Sequence, residues 1–524
     1  MSRKEKKERK VNINLIAKAA CAFVFPWLLC ILYCALRGTS FFGLYTPAAT
    51  NNDCLFYYKL VEGITSFGLP KGYFGFNESH APSGTLAAWS PVIYLPWVIW
   101  GKIFGWKFAS VIVSNLFYLS ATLCGSVLMI RPKWKNLGIF FAMLLCFPGI
   151  PIHLLNALPE TVIACFMILF FACALRAVQE SESKNLAYII VMFACGVLLT
   201  WMRPYMVVLL FLPGFLLRKK KAAAILTTVL TAALALGGNF FLGHYFTCEY
   251  FEPLYDTTAI KMALSGKIID AARYAKNTVG WVLPGIFDYI GRAFGMGLTA
   301  GTQYVVALFS MAALFILGLS NRTGKYGKEK AVNLTFAGTV FLLFVAIVLF
   351  LQKANEGGRH FWVFAVAGIF LLCFNEWGLK SIIENGILLL MLVIFLLRGS
   401  LVPTDYDIPA SNPKLAEEVA NWESVFEKKG VKVSDTAGYE NTLIWVLTDM
   451  KDGESTVTAF GELFALPKGM GINCCLHDYT VSNIDSLKCA YLATVSGGEI
   501  DKLCAERNFE EIGRSADVVI YRTK

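Results

Sequence analysis

Asp53 is the residue with the strongest case for chemistry, and it lies in the segment Asn51–Glu62, NNDCLFYYKLVE. The segment starts about fifteen residues after the first apolar run and is predicted to form an amphipathic helix at the external membrane surface. Asp53, Tyr57 and Leu60 share one face of that helix. A carboxylate held beside a cavity that excludes water can accept a proton from an attacking hydroxyl group. The alternative is that Asp53 only caps the helix, since aspartate is a favoured N-cap.

Glu160 is the candidate for a second acid in the same cavity. It starts an apolar run of residues 160–178, and an ionisable residue at the edge of a membrane span is costly enough to indicate a role. A glutamate near a helix N-terminus is also favoured by the helix dipole, which is the structural alternative. Glu62 is a further carboxylate in the first loop. Four more polar side chains of that loop are candidate substrate ligands: Tyr57, Lys59, Glu78 and His80. A lone external histidine such as His80 is more often simply solvated.

Cations at the membrane indicate a phosphate-bearing ligand. Arg203 lies between two apolar runs, and its guanidinium can hold a phosphate by a bidentate fork. Arg359 with His360 is the second candidate and Lys353 the third. The alternative for each basic side chain is snorkelling to the interface, with the charge in the headgroup region.

Long apolar runs are the elements that must position these residues. The chain has 524 residues, of which 56% are hydrophobic and 16% charged, whereas about a quarter of a soluble domain is charged. Runs near the length that crosses a bilayer recur up to Arg398 and then stop. The composition therefore predicts a largely α-helical polytopic membrane protein, and it argues against a soluble enzyme. The predicted spans are 15–36, 107–130, 137–155, 160–178, 186–202, 204–217, 222–243, 299–320, 331–351, 360–374 and 382–398.

The segment 86–104 is the contested run, because its two prolines and three tryptophans suit the interface as well as a crossing. Without it, the basic clusters 131–135, 218–221 and 321–330 all fall on the cytoplasmic side. We therefore expect eleven spans, a basic cytoplasmic N-terminus over 1–14 and a transmembrane domain over 15–398. External loops are predicted over 37–106 and 244–298.

Residues 399–524 are predicted to form a small extracytoplasmic α/β domain. Asn412–Lys429 has helical periodicity, while Thr456–Phe460 and Asp517–Arg522 have the composition of strands. Four cysteines of this domain can form disulfides if the domain is outside an aerobic cell, with a pairing that the sequence leaves open: Cys474, Cys475, Cys489 and Cys504.

The net charge of +10 is distributed in short clusters between apolar runs, which is the positive-inside pattern and not a nucleic-acid groove. The sequence has no Walker sequence and no Rossmann fingerprint, which argues against a nucleotide-sugar donor bound in a cytoplasmic domain. The candidate carboxylates are too scattered to argue a metal site from spacing, so a divalent metal stays open.

The layout resembles the GT-C superfamily of polytopic membrane glycosyltransferases. The resemblance lies in the basic N-terminus and first span, the long first loop with Asp53 and aromatics, and the Pro- and Trp-containing stretch ending at Gly105. Thr200–Tyr205, TWMRPY, and Gly357–Phe361, GGRHF, are similar to the Arg-Pro and Arg-aromatic segments of such chains. The pair of adjacent acids common in the first loop is here a single Asp53 preceded by two asparagines, so a second carboxylate must come from elsewhere or be absent.

The resemblance implies transfer of a sugar from a polyprenyl-phosphate donor to an extracytoplasmic acceptor, in a plasma membrane of bacterial type. Asp53 would act as base, the arginines would stabilise the departing polyprenyl phosphate, and the anomeric centre would invert. A transporter or flippase of lipid-linked sugars is the alternative, but such proteins tend to contain repeats, and we find none in this sequence. A scaffold or receptor is a third class, and it leaves Asp53, Arg203 and Arg359 unexplained.

Overall fold

A computed structural model describes most of the chain. The described residues are 3–44, 52–68, 90–180, 185–217, 221–246, 255–297, 299–320, 327–375, 379–399, 422, 424–431, 442–458 and 460–523. The predicted ligands Glu78 and His80 lie outside them.

Sixteen α-helices precede the C-terminal domain within the described residues. They are α1 (Arg3–Leu36), α2 (Asn52–Phe67), α3 (Leu95–Phe104), α4 (Ser110–Ile130), α5 (Trp134–Leu145), α6 (Gly149–Leu155), α7 (Glu160–Gln179), α8 (Leu186–Met202), α9 (Phe211–Leu216), α10 (Lys221–Phe246), α11 (Thr258–Leu264), α12 (Ile268–Met296), α13 (Thr299–Ser320), α14 (Gly327–Ala346), α15 (Ala354–Phe374) and α16 (Leu379–Arg398). A 3₁₀ helix, Pro204–Leu210, leads into α9, and a π-turn, Ile347–Leu351, extends α14.

The chain is a polytopic membrane protein, and each of the eleven predicted spans is helical. By length and composition, seven helices of the described residues can cross a membrane, or eight if α5 and α6 form one bent crossing. The seven are α1, α4, α7, α10, α13, α14 and α15. The predicted spans 186–202 and 204–217 form shorter apolar helices, and 382–398 lies in α16.

Two interruptions shape the membrane bundle, one inside a predicted span and one between two predicted spans. The predicted span 137–155 is broken, and α6 turns by 74° away from α5 just after Pro148. Arg203 leaves the helical conformation, with φ −148° and ψ 109°, because the residue before a proline is pushed towards extended backbone. Both breaks place polar residues at helix ends inside the bundle.

The two segments predicted as external loops contain more helix than the sequence predicted. Within the described part of segment 86–104, residues 90–104, a short 3₁₀ helix, Pro91–Ile93, precedes the ten-residue α3, which is too short to cross a bilayer. Segment 244–298 contains α11 and the 29-residue α12, so most of its described part is not an irregular loop. Helix α12 packs on α13 at Gly301, where a Cβ would overlap the Tyr289 carbonyl oxygen and lie 2.9 Å from the Ala293 Cβ.

The C-terminal domain is a small α/β fold. Its strands are β1 (Thr442–Val446), β2 (Thr448–Lys451), β3 (Glu454–Val457), β4 (Gly471–Cys475), β5 (Tyr491–Val495), β6 (Glu510–Arg514) and β7 (Val518–Arg522). The main sheet has the order β4-β1-β5-β7-β6, with β1 parallel to β4 and β5. Helices α17 (His477–Asn483) and α18 (Glu499–Glu506) connect its strands, and β2 pairs with β3.

Predictions for this domain are partly realised. Strand β7 matches the predicted 517–522, whereas the predicted strand 456–460 ends at Val457. The segment 412–429 lies mostly outside the described residues, which include a helical stretch over 424–428. All four cysteines considered for disulfides are buried, and Cys474 and Cys504 are free thiols.

The C-terminal domain lies directly on α2. Lys59 Nζ donates to the Leu466 carbonyl at 2.7 Å, and the Phe56 ring lies 5.7 Å from that of Trp445. Tyr58 meets Phe464 edge to face at 5.0 Å. Every residue of α2 from Asp53 to Glu62 is consequently buried, in contrast to the predicted surface helix with one exposed face.

Candidate active site

Helix α2 presents Asp53 and Tyr57 to the membrane bundle. The two residues are one turn apart on one face, and their side chains are 6% and 1% exposed. Arg359 Nη1 donates to Asp53 Oδ2 at 2.5 Å, with both side chains at least nine-tenths buried. A residue of the first loop and one of a late span, 306 positions apart, therefore meet as a buried ion pair.

Two glycines set the position of Arg359. A Cβ at Gly357 would overlap the Tyr304 hydroxyl, and one at Gly358 would lie 3.1 Å from Ala300 on α13. Their absence of side chains lets the start of α15 approach α13 closely. Tyr304 Oη then donates to the Ala354 carbonyl at 2.8 Å and ties the first turn of α15 to α13.

Glu160 and Arg203 form a second buried pair at two helix ends. Glu160 is the first residue of α7, where the positive end of the helix dipole favours a carboxylate. Arg203 occupies the break between α8 and the 3₁₀ helix, and its Nη2 lies 3.5 Å from Glu160 Oε1. Both side chains are 1% exposed. Two charges so far from water require compensation by each other or by a ligand.

Tyr57 is electrostatically coupled to both pairs. Burial raises the pKa of its phenol, Asp53 and Glu160 raise this pKa further, and Arg203 and Arg359 lower it. His360 is 3% exposed and within electrostatic range of both arginines. The two carboxylates, the two guanidiniums and Tyr57 thus form a single charged cluster at the junction of α2, α7, α8 and α15.

Two candidate ligands lie elsewhere. Lys59 is 2% exposed and donates to Glu62 Oε2 at 2.8 Å as well as to the Leu466 carbonyl, so it faces the C-terminal domain. Lys353 is exposed at the residue before α15 begins, outside the buried cluster.

Sequence reasoning did not select several residues that surround the cluster. Tyr205 and Tyr255 interact electrostatically with Arg203, and His153 lies within range of Arg359. Tyr205 belongs to the TWMRPY segment, so its position beside Arg203 was open to prediction. The placement of His153 depends on the bend between α5 and α6, for which Pro148 was a signal, although the sequence does not give the direction of the bend.

The arrangement suits a negatively charged group held beside a reacting hydroxyl. Guanidinium groups bind phosphate oxygens bidentately, and a neighbouring carboxylate can remove a proton. Within the described residues, no three His, Cys, Asp or Glu side chains gather as a metal-binding group.

Two solved structures are distantly similar to the chain. The oligosaccharyltransferase AglB of Archaeoglobus fulgidus, in complex with an inhibitory peptide and a dolichol-phosphate, has a TM-score of 0.47 and 12% identity over 95% of this chain and 72% of its own. ArnT of Cupriavidus metallidurans, bound to undecaprenyl phosphate, has a TM-score of 0.44 and 10% identity over 96% of this chain and 98% of its own.

No protein-family profile and no curated protein sequence matches the chain. Because the TM-scores of these structures lie below 0.5, the likeness is one of general layout and assigns neither a substrate nor a residue role.

Proposed function

We propose that this chain is a membrane glycosyltransferase that moves a sugar from a polyprenyl-phosphate-linked donor to an extracytoplasmic acceptor. The observation that carries the proposal is the cluster of two buried carboxylate–arginine contacts, Asp53 with Arg359 and Glu160 with Arg203. Such a cluster supplies a base and two phosphate-binding groups in a setting that excludes water. The acceptor is a surface polysaccharide, lipid or protein, and the enzyme acts in a plasma membrane with the C-terminal domain outside.

Asp53 is the proposed base, and its carboxylate stays paired with Arg359 until the donor binds. The donor phosphate competes for Arg359, which weakens the ion pair and leaves the carboxylate available. Asp53 then takes the proton from the acceptor hydroxyl as the hydroxyl oxygen attacks the anomeric carbon. The bond from that carbon to the phosphate oxygen breaks, and polyprenyl phosphate leaves with the bonding electrons. Attack opposite the leaving group inverts the anomeric centre.

Glu160 is proposed to hold Arg203 in the orientation that meets the phosphate. Its Oε2 is buried and has no hydrogen-bond partner among the described residues, so it also has capacity to accept a bond from the sugar or acceptor. His360 and Tyr57 complete the wall of the site. This division gives each carboxylate a different task, with the proton transfer assigned to Asp53 alone.

The experiment is transfer of radiolabelled sugar from a panel of undecaprenyl-phosphate sugars to a membrane extract by the purified protein. We expect transfer by the wild type, loss of at least a hundredfold in Asp53→Asn, and little change in the control Asp288→Asn. The Asp288 side chain is 65% exposed on α12, so its loss tests for a general effect of charge.

A wild type that transfers no sugar but carries the donor across a bilayer would favour a flippase. Full activity in Asp53→Asn would refute the role of Asp53 as base.

A further inference from the structure

Beside the charged cluster, three neutral side chains with unsatisfied hydrogen-bonding atoms converge inside the membrane bundle. They are His153 on α6, Gln303 on α13 and Trp362 on α15, each no more than 1% exposed. Among the described residues, His153 Nδ1, Gln303 Oε1 and Trp362 Nε1 have no hydrogen-bond partner. Buried polar atoms are rarely left unsatisfied, and an exception calls for a ligand or water.

The three side chains form one group. Gln303 Nε2 and His153 Nε2 are 3.1 Å apart, and the rings of His153 and Trp362 have centroids 4.5 Å apart. A Cβ at Gly149 would lie 3.3 Å from both Gln303 Nε2 and Trp362 Nε1, so the backbone of α6 rests against both side chains. Their free atoms therefore belong to a single small region.

The hydrogen-bonding capacity of this region does not depend on how the amide is oriented. If the Gln303 amide donates to His153 Nε2, the imidazole Nδ1–H is a free donor and the amide oxygen a free acceptor. If the amide is reversed, its N–H groups become free donors and His153 Nδ1 a free acceptor. The indole N–H of Trp362 is a donor in either case. At least one acceptor and two donors remain unsatisfied.

This mixture fits hydroxyl groups better than it fits phosphate. Each hydroxyl both donates and accepts, whereas phosphate oxygens accept and prefer cations. The cations are one turn away, because Arg359 and Trp362 are three residues apart on one face of α15. Their separation along the helix axis is about 4.5 Å, which is comparable to the distance from an anomeric oxygen across a sugar ring. The indole ring of Trp362, tilted by 38° to the His153 ring, adds an aromatic surface.

We propose that His153, Gln303 and Trp362 bind the hydroxyl groups of the donor sugar while Arg203 and Arg359 bind its phosphate. This inference rests on the proposed function and adds the part of the donor that each group recognises. Among the seven candidate spans of the described residues, α15 is the most enclosed, with 94% of its apolar stretch buried. A sugar held against Trp362 would therefore lie inside the bundle. The lipid tail then leaves between the helices.

The test compares two lipids that differ only in the sugar. Protein in nanodiscs is titrated with undecaprenyl phosphate and with the undecaprenyl-phosphate sugar that the wild type binds most tightly. Gln303→Met keeps the side-chain length and removes the amide. We expect it to weaken binding of the sugar-loaded lipid about tenfold, the loss of one or two hydrogen bonds, and to leave binding of undecaprenyl phosphate unchanged. Trp362→Phe should act in the same way, and it serves if Gln303→Met does not fold.

Arg203→Lys is the opposite control, since it should weaken both lipids to a similar extent. If Gln303→Met binds each lipid as tightly as the wild type does, or if it binds both lipids more weakly by the same factor, the sugar subsite is overturned. The proposed function would remain in both cases. A wild type that binds neither lipid would overturn the proposed function and the subsite with it.

Discussion

Arg203 and Arg359 each contact a carboxylate and are each proposed to take a phosphate, and the two contacts differ in geometry. Arg359 makes a short bond to Asp53 at 2.5 Å, whereas Arg203 is 3.5 Å from Glu160. The longer contact is the weaker hydrogen bond, so less free energy is lost when Arg203 leaves Glu160 to bind a phosphate. We infer that the donor phosphate engages Arg203 first and displaces Asp53 from Arg359 second.

Replacing Arg203 with lysine tests its proposed contact with the donor phosphate. Arg203→Lys keeps the charge but loses the planar fork, so we expect the donor KM to rise about tenfold with a smaller fall in kcat. Arg203→Met removes the cation that contacts the buried Glu160 and should destabilise the fold by about 3 to 5 kcal/mol. Steady-state kinetics and thermal unfolding measure the two effects. Arg292→Lys is the control, because that arginine is 45% exposed and 3.8 Å from Asp288. An unchanged KM in Arg203→Lys would contradict a phosphate contact.

At the scale of elements, α2 is packed between the membrane bundle and the C-terminal domain. One face carries Asp53 and Tyr57 towards the bundle, and the other carries Phe56 and Lys59 towards the C-terminal domain. The ammonium of Lys59 is shared between Glu62 and the Leu466 carbonyl, with side chains of the pair 1% and 4% exposed. Lys59 is therefore a positioning residue in our account, in place of the substrate ligand predicted from the sequence.

Removing the Lys59 contact should misplace the base without removing it. We expect Lys59→Met to lower both stability and kcat, because Glu62 loses a buried cationic partner. The double variant Lys59→Met with Glu62→Leu should recover stability, because an apolar pair replaces the ion pair. Its kcat should stay low, because the hydrogen bond to the Leu466 carbonyl is still missing. Thermal unfolding and kcat measure the two. Recovery of kcat together with stability would show that Lys59 acts only on folding.

Asp256 anchors the segment 244–298, which was predicted as the second external loop. Its carboxylate accepts from the Thr258 N–H at 2.8 Å and from Gln352 Nε2 at 2.6 Å, and the Tyr274 hydroxyl also donates to it. Hydrogen bonds from Thr258, Tyr274 and Gln352 lower the pKa of Asp256 to about 2. The ionised carboxylate therefore joins the start of α11, the middle of α12 and the end of the π-turn after α14.

The stability that Asp256 supplies should depend on pH. Because its folded pKa lies below the unfolded value of about 3.9, the contribution is complete above that value and is lost as pH falls from about 4 towards 2. Asp256→Asn should thus unfold more easily than wild type at pH 6, by about 1 to 3 kcal/mol, and the gap should close near pH 2. Thermal unfolding in detergent measures it. Asp270→Asn is the control, because the contact of Asp270 with Arg273 is exposed. A stability difference between wild type and Asp256→Asn that does not change with pH would contradict the role assigned to Asp256.

At the scale of the whole molecule, contacts near the N-terminus bear on sidedness. Lys18 Nζ donates to the Pro132 carbonyl at 2.6 Å, and Trp134 Nε1 donates to Asn14 Oδ1 at 2.7 Å. The beginning of the first span therefore lies beside the basic segment 131–135. This neighbourhood agrees with the prediction that both are on the same side, which the positive-inside rule makes cytoplasmic.

Cysteine labelling tests the orientation. In a background without reactive cysteines, Lys133→Cys and Ser455→Cys both place a thiol at an exposed position. We expect a membrane-impermeant maleimide to label position 455 on intact cells and position 133 only after the membrane is opened. Labelling of both positions on intact cells, or the reverse pattern, would overturn the proposed topology.

The sequence predicted what depends on local pattern. Apolar run length located the eleven helical segments, and Pro204 with the preceding arginine was visible as a break. Burial of α2 was not predictable, because it depends on a domain about four hundred residues away that covers a face expected to meet water. The partners of Arg203 and Arg359 were likewise not predictable, because the local sequence around a residue does not show which distant residue it pairs with. The subsite at His153 depends on a 74° bend whose direction follows from tertiary packing.

The bond between Lys59 and Leu466 joins residues 407 positions apart, and this separation sets a schedule for biosynthesis. At 5 to 20 residues per second, a ribosome needs about 20 to 80 s to make the chain between them. During that time α2 has emerged but lacks the surface that covers its outer face. The outer face of the newly made helix therefore stays uncovered until the segment around Leu466 has been made, and only then can the site become complete.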